Sequence, residues 1–340
     1  MRTFVIDGNF LFMRIVTAMG TKFLTENECT RFRETFLVTL SSIIRKHAKY
    51  IDIVAICKDA SSWRKKITQV VPKELVRETI GYKQNRVKEN SDKMNWTQAF
   101  KTFDDIMELL DTTTDIHVYR TEGAEGDDWI WLLSQIALKS KQELIIYSSD
   151  GDIKQLVKDT VYLYKMPTEV LLVGDEVNLE VDYFSNAVSI VSEIKAKETQ
   201  KIYGFNTLLS KILSGDPKDN VAPLFFWKSG RCTYTPKFSS LEKEFGTRLD
   251  PSLIYNEDWI EKCIQYLFKK TKQERDPEHT KNVFISNRKF LALNSKEIPE
   301  VISRKMFELY QHQKQRKPST NVSKWSDYRT FPSPTTYYFE

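Results

Sequence analysis

The sequence has little cysteine and histidine, and none of its apolar runs is long enough to cross a membrane. Its 340 residues include four cysteines and four histidines, which stand far apart without the CxxC spacing of a zinc site or a disulfide framework. Asp7 and Asn9 interrupt the first apolar stretch, which argues against a signal peptide. We therefore expect an intracellular protein with reduced thiols, in which any metal ion is held by oxygen ligands.

Charged residues, by contrast, are abundant and clustered by sign. Lysine and arginine number 51, and aspartate and glutamate 46, giving a net charge of +5. Basic residues form runs at 64–66, 83–88, 269–272 and 314–317, whereas many acids fall in the short motifs described below. An acidic focus on a basic chain is typical of a protein that binds a polyanion through bridging cations. Ordinary solvated lysines are the alternative interpretation of any single basic run.

Short, branched apolar runs alternate with helical periodicity in the first half of the chain. The pattern predicts buried strands at 3–6, 51–57, 116–119, 144–149 and 161–165, with helices between them. This alternation indicates an α/β fold with a mostly parallel central sheet and helices on both faces.

The strand signal fades from about residue 180, which sets the expected domain boundary. We predict a catalytic domain over 1–180 and an α-helical, nucleic-acid-binding C-terminal region over 181–340, with an extended tail from 314. Segment 60–93 is polar, basic and weakly periodic, and a loop of that length inside a compact domain is usually functional or mobile.

Acidic residues follow the carboxyl ends of the predicted strands, where ligands bind in open α/β sheets. Asp7, Asp59 and Asp150 each lie just beyond a strand. The candidate metal ligands are Asp7, Asp59, Glu125, Asp127, Asp128, Asp150, Asp152, Asp216 and Asp219. For the acids at 125–128 the alternative is capping of a helix, because Asp and Glu are favoured in a first helical turn.

Many carboxylates in one crevice repel one another, and divalent cations remove that cost. Mg²⁺ prefers oxygen ligands and retains several waters. Two such ions about 4 Å apart activate water and stabilise both the attacking and the leaving oxygen of a phosphodiester. The sequence therefore predicts a site for two Mg²⁺ ions, for which Mn²⁺ is a possible substitute.

Five motifs occur in the order found in the 5′-nuclease superfamily of flap endonucleases and 5′–3′ exonucleases. They are VIDGN at 5–9, GYKQNR at 81–86, GAEGDD at 123–128, SDGD at 149–152 and GDPKDN at 215–220. Over about residues 3–220 the chain resembles this superfamily, which has a PIN-like catalytic core. Within it, the stretch 220–236 is most similar to bacteriophage ribonucleases H of the T-even type.

The resemblance implies a role for individual positions. Asp7, Asp59, Glu125 and Asp127 would serve the first metal ion, Asp150, Asp152, Asp216 and Asp219 the second, with Asp128 between them. Lys83 and Arg86 would contact the scissile phosphate and, with Asp152, form the catalytic set. Tyr82 would stack on a terminal base, and Arg64 and Lys65 would also contact nucleic acid. Segment 60–93 would form a mobile arch through which a single-stranded 5′ end passes.

The implied activity is a Mg²⁺-dependent 5′–3′ exonuclease, flap endonuclease and ribonuclease H that removes primers in phage DNA replication, in the cytoplasm of the host. DNA and RNA–DNA hybrid are the expected partners of a monomer that binds no membrane, together with a sliding clamp and single-strand-binding protein. The aromatic residues at 337–339 are a candidate clamp-binding peptide. Segment 221–227 departs from most relatives because it lacks the paired glycines of a duplex-gripping hairpin, which argues against duplex binding by that route and against a potassium site there.

Two other functions remain open at this point. One is a catalytically silent protein that binds branched DNA on the same fold. The other is a PIN-type ribonuclease for single strands. The full acid set disfavours the first, and the basic segment 60–93 with the motif at 215–220 disfavours the second.

Overall fold

The computed structural model describes residues 1–47, 51–73, 81–83, 94–174, 196–225, 237–246, 248–272 and 276–316. The chain forms two compact units, each made from separate stretches of sequence. The sheet unit comprises residues 1–62, 91–202 and 294–340, and the helical unit comprises 63–90 and 203–293.

The sheet unit is built on a single sheet of seven strands among the described residues. They are β1 (Arg2–Asp7), β2 (Ile53–Cys57), β3 (His117–Tyr119), β4 (Glu143–Ser148), β5 (Val161–Lys165), β6 (Val170–Gly174) and β7 (Glu198–Ile202). Their order is β3-β2-β1-β4-β5-β6-β7, and every pair is parallel except β5 with β6. The central strands are apolar throughout because both faces of a parallel sheet are buried.

Five helices of this unit cover the sheet in the described part of the chain. They are α1 (Gly8–Met19), α2 (Glu26–His47), α3 (Trp96–Thr113), α4 (Gly126–Ser140) and α9 (Glu300–Gln315). The first three share one aromatic core with alternate residues of the strands, including Phe12, Phe36 and Phe103. Helix α4 contacts the same strands and buries Trp129 outside that core, on the opposite face. Helices on both faces of a mostly parallel sheet confirm the predicted fold class.

Helix α9 closes the outer edge of the sheet along β3. The ring of Tyr310 stacks on Tyr119 at 6.4 Å, Gln313 donates to the carbonyl of Val118, and Arg316 donates to that of Ile116. An edge strand otherwise exposes unpaired backbone groups, so these side chains satisfy carbonyls that no neighbouring strand reaches.

The helical unit packs four helices around a second apolar core within the described residues. They are α5 (Gly204–Ser214), α6 (Phe238–Phe245), α7 (Glu257–Thr271) and α8 (Pro277–Leu291). Their buried residues include Ile212, Leu241, Leu267 and Phe284. Helix α8 begins with Asp276 as N-cap and proline at the first helical position, where the missing N–H costs nothing. No helix in the described ranges is long and apolar enough to cross a bilayer.

The structure divides the chain differently from the predicted boundary at residue 180. Strand β7 and helix α9 belong to the sheet unit, whereas residues 63–73 and 81–83 pack with the helical unit. Strand β7 was missed because its sequence, ETQKI, is polar and half exposed, as an edge strand can be. The tail was predicted to be extended from 314, but α9 continues to Gln315. Residues 317–340, with the aromatic segment 337–339, lie outside the described residues, as do 74–80 and 84–93 of the predicted arch.

Candidate functional site

Asp7 is both the last residue of β1 and the N-cap of α1. Its Oδ1 accepts a hydrogen bond from the Phe10 N–H at 2.9 Å, and its Oδ2 accepts one from Ser148 Oγ at 2.7 Å. Only 7% of the residue is exposed. A Cβ at Gly8 would lie 2.8 Å from the carbonyl oxygen of Cys57, so glycine lets β1 and β2 approach closely beside this carboxylate.

Asp59 lies two residues beyond β2 and is held by a reciprocal pair of bonds with Asn9. The Asn9 amide donates to Asp59 Oδ2 at 2.7 Å, and its Oδ1 accepts from the Asp59 N–H at 3.1 Å. The other carboxylate oxygen accepts from the Gly126 N–H, at the start of α4, at 2.6 Å. Asp59, just beyond β2, is therefore hydrogen-bonded to the first residues of both α1 and α4. Sequence reasoning missed Asn9, although it stands inside the first motif.

The acids at 125–128 do cap α4, as the alternative interpretation proposed. The Glu125 N–H donates to Asp128 Oδ2 at 3.0 Å, which is one half of a capping box. Asp128 is completely buried. Its carboxylate therefore holds the loop at the start of α4, and a role for Asp128 at a metal ion stays a prediction. Asp127, in the first turn of α4, is half-buried and so more open than its neighbour.

The turn after β4 is stabilised by hydrogen bonds that involve Asp150 and Asp152. Asp150 N–H donates to Ser148 Oγ at 3.0 Å, and Asp152 N–H donates to Asp150 Oδ1 at 2.9 Å. Asp152 opens a single 3-10 turn, Asp152–Leu156. Ser148 thus connects Asp7 with the turn that carries Asp150, a role not foreseen from the sequence, although Ser148 directly precedes the SDGD motif.

Electrostatic interactions indicate that these carboxylates share one region of the sheet unit. Burial raises the pKa of Asp7 to about 7, and the negative charges of Asp59 and Asp150 add to the rise. Burial also raises the pKa of the Cys57 thiol, with further contributions from Asp7, Asp127 and Asp59. The structure therefore brings together Asp7, Asp59, Asp127 and Asp150, where a cation would relieve their repulsion.

The donor set fits a hydrated, oxygen-seeking cation. Within the described part of the chain, no three Asp, Glu, His or Cys side chains form a set that would enclose an ion by themselves. Mg²⁺ keeps several waters and takes only one or two direct carboxylates. The carboxylates at 7, 59, 127 and 150 offer oxygen, the donor that hard divalent cations prefer.

Asp216 and Asp219, the acids of the motif at 215–220, lie in the helical unit, after α5. Asp216 Oδ2 accepts from Lys211 Nζ at 2.6 Å and Oδ1 from the Lys218 N–H at 3.0 Å. Burial opposes ionisation of Asp216, but Lys211 and the backbone amides outweigh it and hold the pKa of this carboxyl below its usual value. Asp219 Oδ2 accepts from the Tyr82 hydroxyl at 3.2 Å and lies 3.7 Å from Lys83 Nζ. Four predicted site residues therefore meet here: Tyr82, Lys83, Asp216 and Asp219.

Two predicted nucleic-acid contacts are buried instead. The Tyr82 ring is 6% exposed and packs on Phe290 at 5.2 Å, so it has no free face for a base. Arg64 is 1% exposed, lies over the Trp63 ring and donates to the carbonyl of Phe290. Contacts within the helical unit occupy both side chains, so this structure does not present them to nucleic acid, and their binding roles stay predictions.

The other predicted contacts are divided between the surface and undescribed residues. Lys65 is exposed on the 3-10 turn Trp63–Lys66 and stays a prediction. Lys83 has a left-handed backbone, with φ of 57°, and its ammonium lies 5.0 Å from the centre of the Tyr82 ring. Arg86 lies outside the described residues.

A family comparison covers β1 to β6 and the acids of the sheet unit. The family model for the 5′–3′ exonuclease N-terminal resolvase-like domain matches residues 2–183, more than half of the chain. The chain belongs to this 5′–3′ exonuclease family. Membership confirms the resemblance to the 5′-nuclease superfamily on which the site was predicted. No curated protein sequence gives a significant match.

Solved structures extend the likeness across both units. A T5 protein co-crystallised with metal ions matches at 16% identity and a TM-score of 0.54, covering 93% of this chain and 99% of that one. The T5 5′-exonuclease with bound zinc matches at 15% identity and 0.55, with the same coverage. The bacteriophage T5 flap endonuclease, in a pseudo-enzyme–product complex with DNA and metal ions, matches at 16% and 0.53, covering 93% and 100%. At these identities the likeness establishes a shared fold.

Proposed function

We propose that this 5′–3′ exonuclease family member is a Mg²⁺-dependent 5′-nuclease that cleaves phosphodiesters near 5′ ends. The observation that carries the proposal is the meeting of Asp7, Asp59, Asp127 and Asp150 at the carboxyl ends of β1, β2 and β4. Clustered like charges cost stability, and a protein that only binds DNA gains nothing from them.

Bound Mg²⁺ would supply a Lewis acid and an activated water for hydrolysis, and Mn²⁺ would be a substitute. Asp7, Asp59, Glu125 and Asp127 would hold one ion, and Asp150, Asp152, Asp216 and Asp219 the other. The protein fixes three of these groups, Asp7, Asp59 and Asp150, before any ion arrives, through Ser148, Asn9 and the Gly126 amide. Preorganised ligands of this kind lower the cost of binding the ion and orienting the substrate.

Lys83 and Arg86 are proposed to offset negative charge on the scissile phosphate. Lys83 Nζ already lies 3.7 Å from a carboxylate oxygen of Asp219, so its ammonium is held beside one of the proposed metal ligands. A cation fixed before the reaction begins stabilises developing charge without reorganisation. Asp152, at the start of its 3-10 turn, completes the proposed catalytic set.

The proposed substrates are DNA and RNA–DNA hybrid with 5′ ends or flaps, and the proposed role is primer removal during phage DNA replication in the host cytoplasm. The DNA complex of the T5 flap endonuclease supports DNA as a ligand. A monomer, with contacts to a sliding clamp and to single-strand-binding protein, is part of this proposal.

The test compares substrates and cations on the full chain. A 5′-labelled flap, a nicked RNA–DNA hybrid and single-stranded RNA are incubated with Mg²⁺, with Mn²⁺ or with EDTA. Cleavage of the flap and the hybrid with Mg²⁺, and none with EDTA, is the expected result. Asp152→Asn should keep substrate binding and lose cleavage, whereas Asp258→Asn, on the exposed first turn of α7, should change neither. Binding without cleavage would indicate a silent DNA-binding protein, and cleavage of single-stranded RNA alone a PIN-type ribonuclease.

A further inference from the structure

The acid turn, residues 215–221, carries Asp216 and Asp219 between the end of α5 and the chain that follows. Gly215 has φ of 71°, and a Cβ there would lie 2.4 Å from the carbonyl oxygen of Val221. Asp216 and Val221 exchange two backbone hydrogen bonds of 2.9 Å each, and Asp219 N–H donates to the Asp216 carbonyl at 3.1 Å. The turn is thus a closed unit, whose position depends on what holds its two ends.

One buried side chain outside the turn holds both ends. Asn287, on α8, is completely buried. Its Nδ2 donates to the carbonyl of Ile212 at 2.9 Å and to that of Ala222 at 2.8 Å. Ile212 lies in the last turn of α5, where carbonyls have no partner within the helix. Ala222 is the first residue after the turn. The NH₂ group of Asn287 therefore links the segment before the turn to the segment after it.

A second side-chain amide, that of Gln69, contacts the backbone at residues 220 and 222. Oriented to satisfy both neighbours, the Gln69 side chain donates to the Asn220 carbonyl at 3.0 Å and accepts from the Ala222 N–H at 2.8 Å. The Asn220 side chain in turn donates to the Gly81 carbonyl at 3.3 Å. Gln69 is half-buried and contacts residues 220 and 222, whereas the Asn287 side chain reaches both ends of the turn, beside the backbone hydrogen bond from the Leu224 N–H to the Leu213 carbonyl at 2.9 Å.

We propose that Asn287 is a positioning residue for Asp216 and Asp219, and that it sets the affinity of this acid pair for a divalent cation. The inference rests on the proposed function. Without the Asn287 amide, the two carbonyls at 212 and 222 lose a buried donor, and such groups are costly to leave unsatisfied. The carbonyls at 212 and 222 then shift to reach water, and the turn, still closed by its own backbone hydrogen bonds, moves as a unit. Asp219 leaves the Tyr82 hydroxyl and Lys83, which lie on a different segment of chain.

The decisive variant is Asn287→Leu, which keeps the volume and removes both hydrogen bonds. Thr280→Val is the matched control, because Thr280 is also buried on α8 but donates within its own helix, to the Asp276 carbonyl at 2.9 Å. Mn²⁺ binding to the full chain is measured by electron paramagnetic resonance and calorimetry, without nucleic acid. In Asn287→Leu, we expect the affinity for one bound Mn²⁺ ion to fall roughly 10- to 100-fold, as for other groups that orient metal ligands. The Mn²⁺ affinities of Thr280→Val should equal those of the wild type.

Kinetics on the labelled flap add a readout that a loss of fold would not produce. In Asn287→Leu, kcat at low Mg²⁺ should fall with KM for DNA little changed, and raising Mg²⁺ should restore kcat by mass action. If this variant does not fold, Asn287→Ala decides, since it leaves room for a water to bridge the two carbonyls. The same loss and rescue, in smaller degree, is then expected.

The outcomes separate this inference from the proposed function. Wild-type protein that binds no Mn²⁺ and cleaves nothing would overturn the proposed function and the inference with it. If Asp216→Asn weakens Mn²⁺ binding but the Asn287 variants that fold do not, only the positioning role is wrong. Loss of kcat that no concentration of Mg²⁺ restores would also overturn it, because a metal-affinity defect must respond to the ion.

Discussion

The hydroxyl of Ser148, at the end of β4, donates a 2.7 Å hydrogen bond to the carboxylate of Asp7, at the end of β1. The same oxygen accepts from the Asp150 N–H at 3.0 Å. Because β1 and β4 are adjacent parallel strands, one buried oxygen fixes acids from two motifs that are far apart in sequence. Together with the Phe10 N–H, which donates to the other carboxylate oxygen, this hydroxyl orients the Asp7 side chain.

Ser148→Ala is therefore expected to affect the site more than the fold. The loss of one buried hydroxyl should lower the free energy of unfolding by about 1–2 kcal/mol, while divalent-cation affinity falls roughly tenfold. Urea unfolding and calorimetric Mg²⁺ titration measure the two effects. Ser134→Ala is the control, because Ser134 is equally buried but donates to the Trp131 carbonyl within α4. Equal cation affinity in both variants would contradict the role of Ser148.

Asp7→Asn should change how the metal-free protein responds to pH. Burial raises the pKa of Asp7 from 3.8 to about 7, so the folded state holds this proton more tightly than the unfolded chain. The stabilisation is complete below pH 3.8 and is lost as the pH rises through about 7. Asparagine carries no charge and can still accept from the Phe10 N–H, so it escapes this loss.

Without metal, the Asp7→Asn variant should therefore be more stable than the wild type, by a few kcal/mol, at about pH 8. Saturating Mg²⁺ should stabilise the wild type and remove that advantage. Urea unfolding in EDTA and in Mg²⁺ across this pH range provides the measurement. Parallel pH profiles for the two proteins would show that Asp7 is not protonated in the folded, metal-free state.

Gly126→Ala should disturb Asp59 by direct contact. A Cβ at position 126 would lie 3.1 Å from Asp59 Oδ1 and 3.4 Å from the Cys57 carbonyl, so the carboxylate has to move by a few tenths of an ångström. We expect nuclease activity to fall about tenfold with little loss of stability, because alanine favours helix by about 1 kcal/mol. Gly151→Ala is the steric comparison, since no atom lies within 4 Å of its added Cβ. Activity reduced equally in both variants would argue against contact with Asp59 as the cause.

Two substitutions at Tyr82 distinguish the contribution of its ring to stability from that of its hydroxyl. Tyr82→Phe keeps the packing on Phe290 and removes the bond to Asp219, which should cost about 1 kcal/mol of unfolding free energy. Tyr82→Ala removes the buried ring as well and should cost about 3 kcal/mol or more. Thermal or urea unfolding distinguishes the two. A fully stable Tyr82→Ala protein, with weakened binding of a single-stranded 5′ end, would instead support the base-stacking role predicted from the sequence.

The sequence was informative where function depends on strand ends. Asp7, Asp59 and Asp150 follow short apolar strands, and the geometry of parallel sheets brings such positions to one edge. The fold class followed from the same alternation of strands and helices. Asp127 and Asp128 stand side by side in one motif, yet only the structure shows that Asp128 is buried in a capping box and that Asp127 is the more open of the two.

The sequence was least informative where distant segments pair. Arg64 and Tyr82 stand in a basic, polar stretch that gives no sign of burial, but both contact Phe290, more than two hundred residues away: Arg64 donates to its carbonyl, and the Tyr82 ring packs on its ring. Strand β6, VLLVG, has a clear apolar run and could have been found from it, whereas β7 depends on pairing with β6 for its structure. Asn287 has no local signal at all, because its partners are backbone carbonyls.

The interleaving of the two units has a practical consequence for dissecting this protein. The sheet unit takes three stretches of chain, and the helical unit takes two, so no single cut yields either one whole. A fragment ending at residue 180 would lack β7 and α9, and the unpaired carbonyls of β3 would face water or another chain. Separate expression of the sheet unit requires a rearranged gene that joins residue 62 to residue 91 and residue 202 to residue 294, instead of a stop codon.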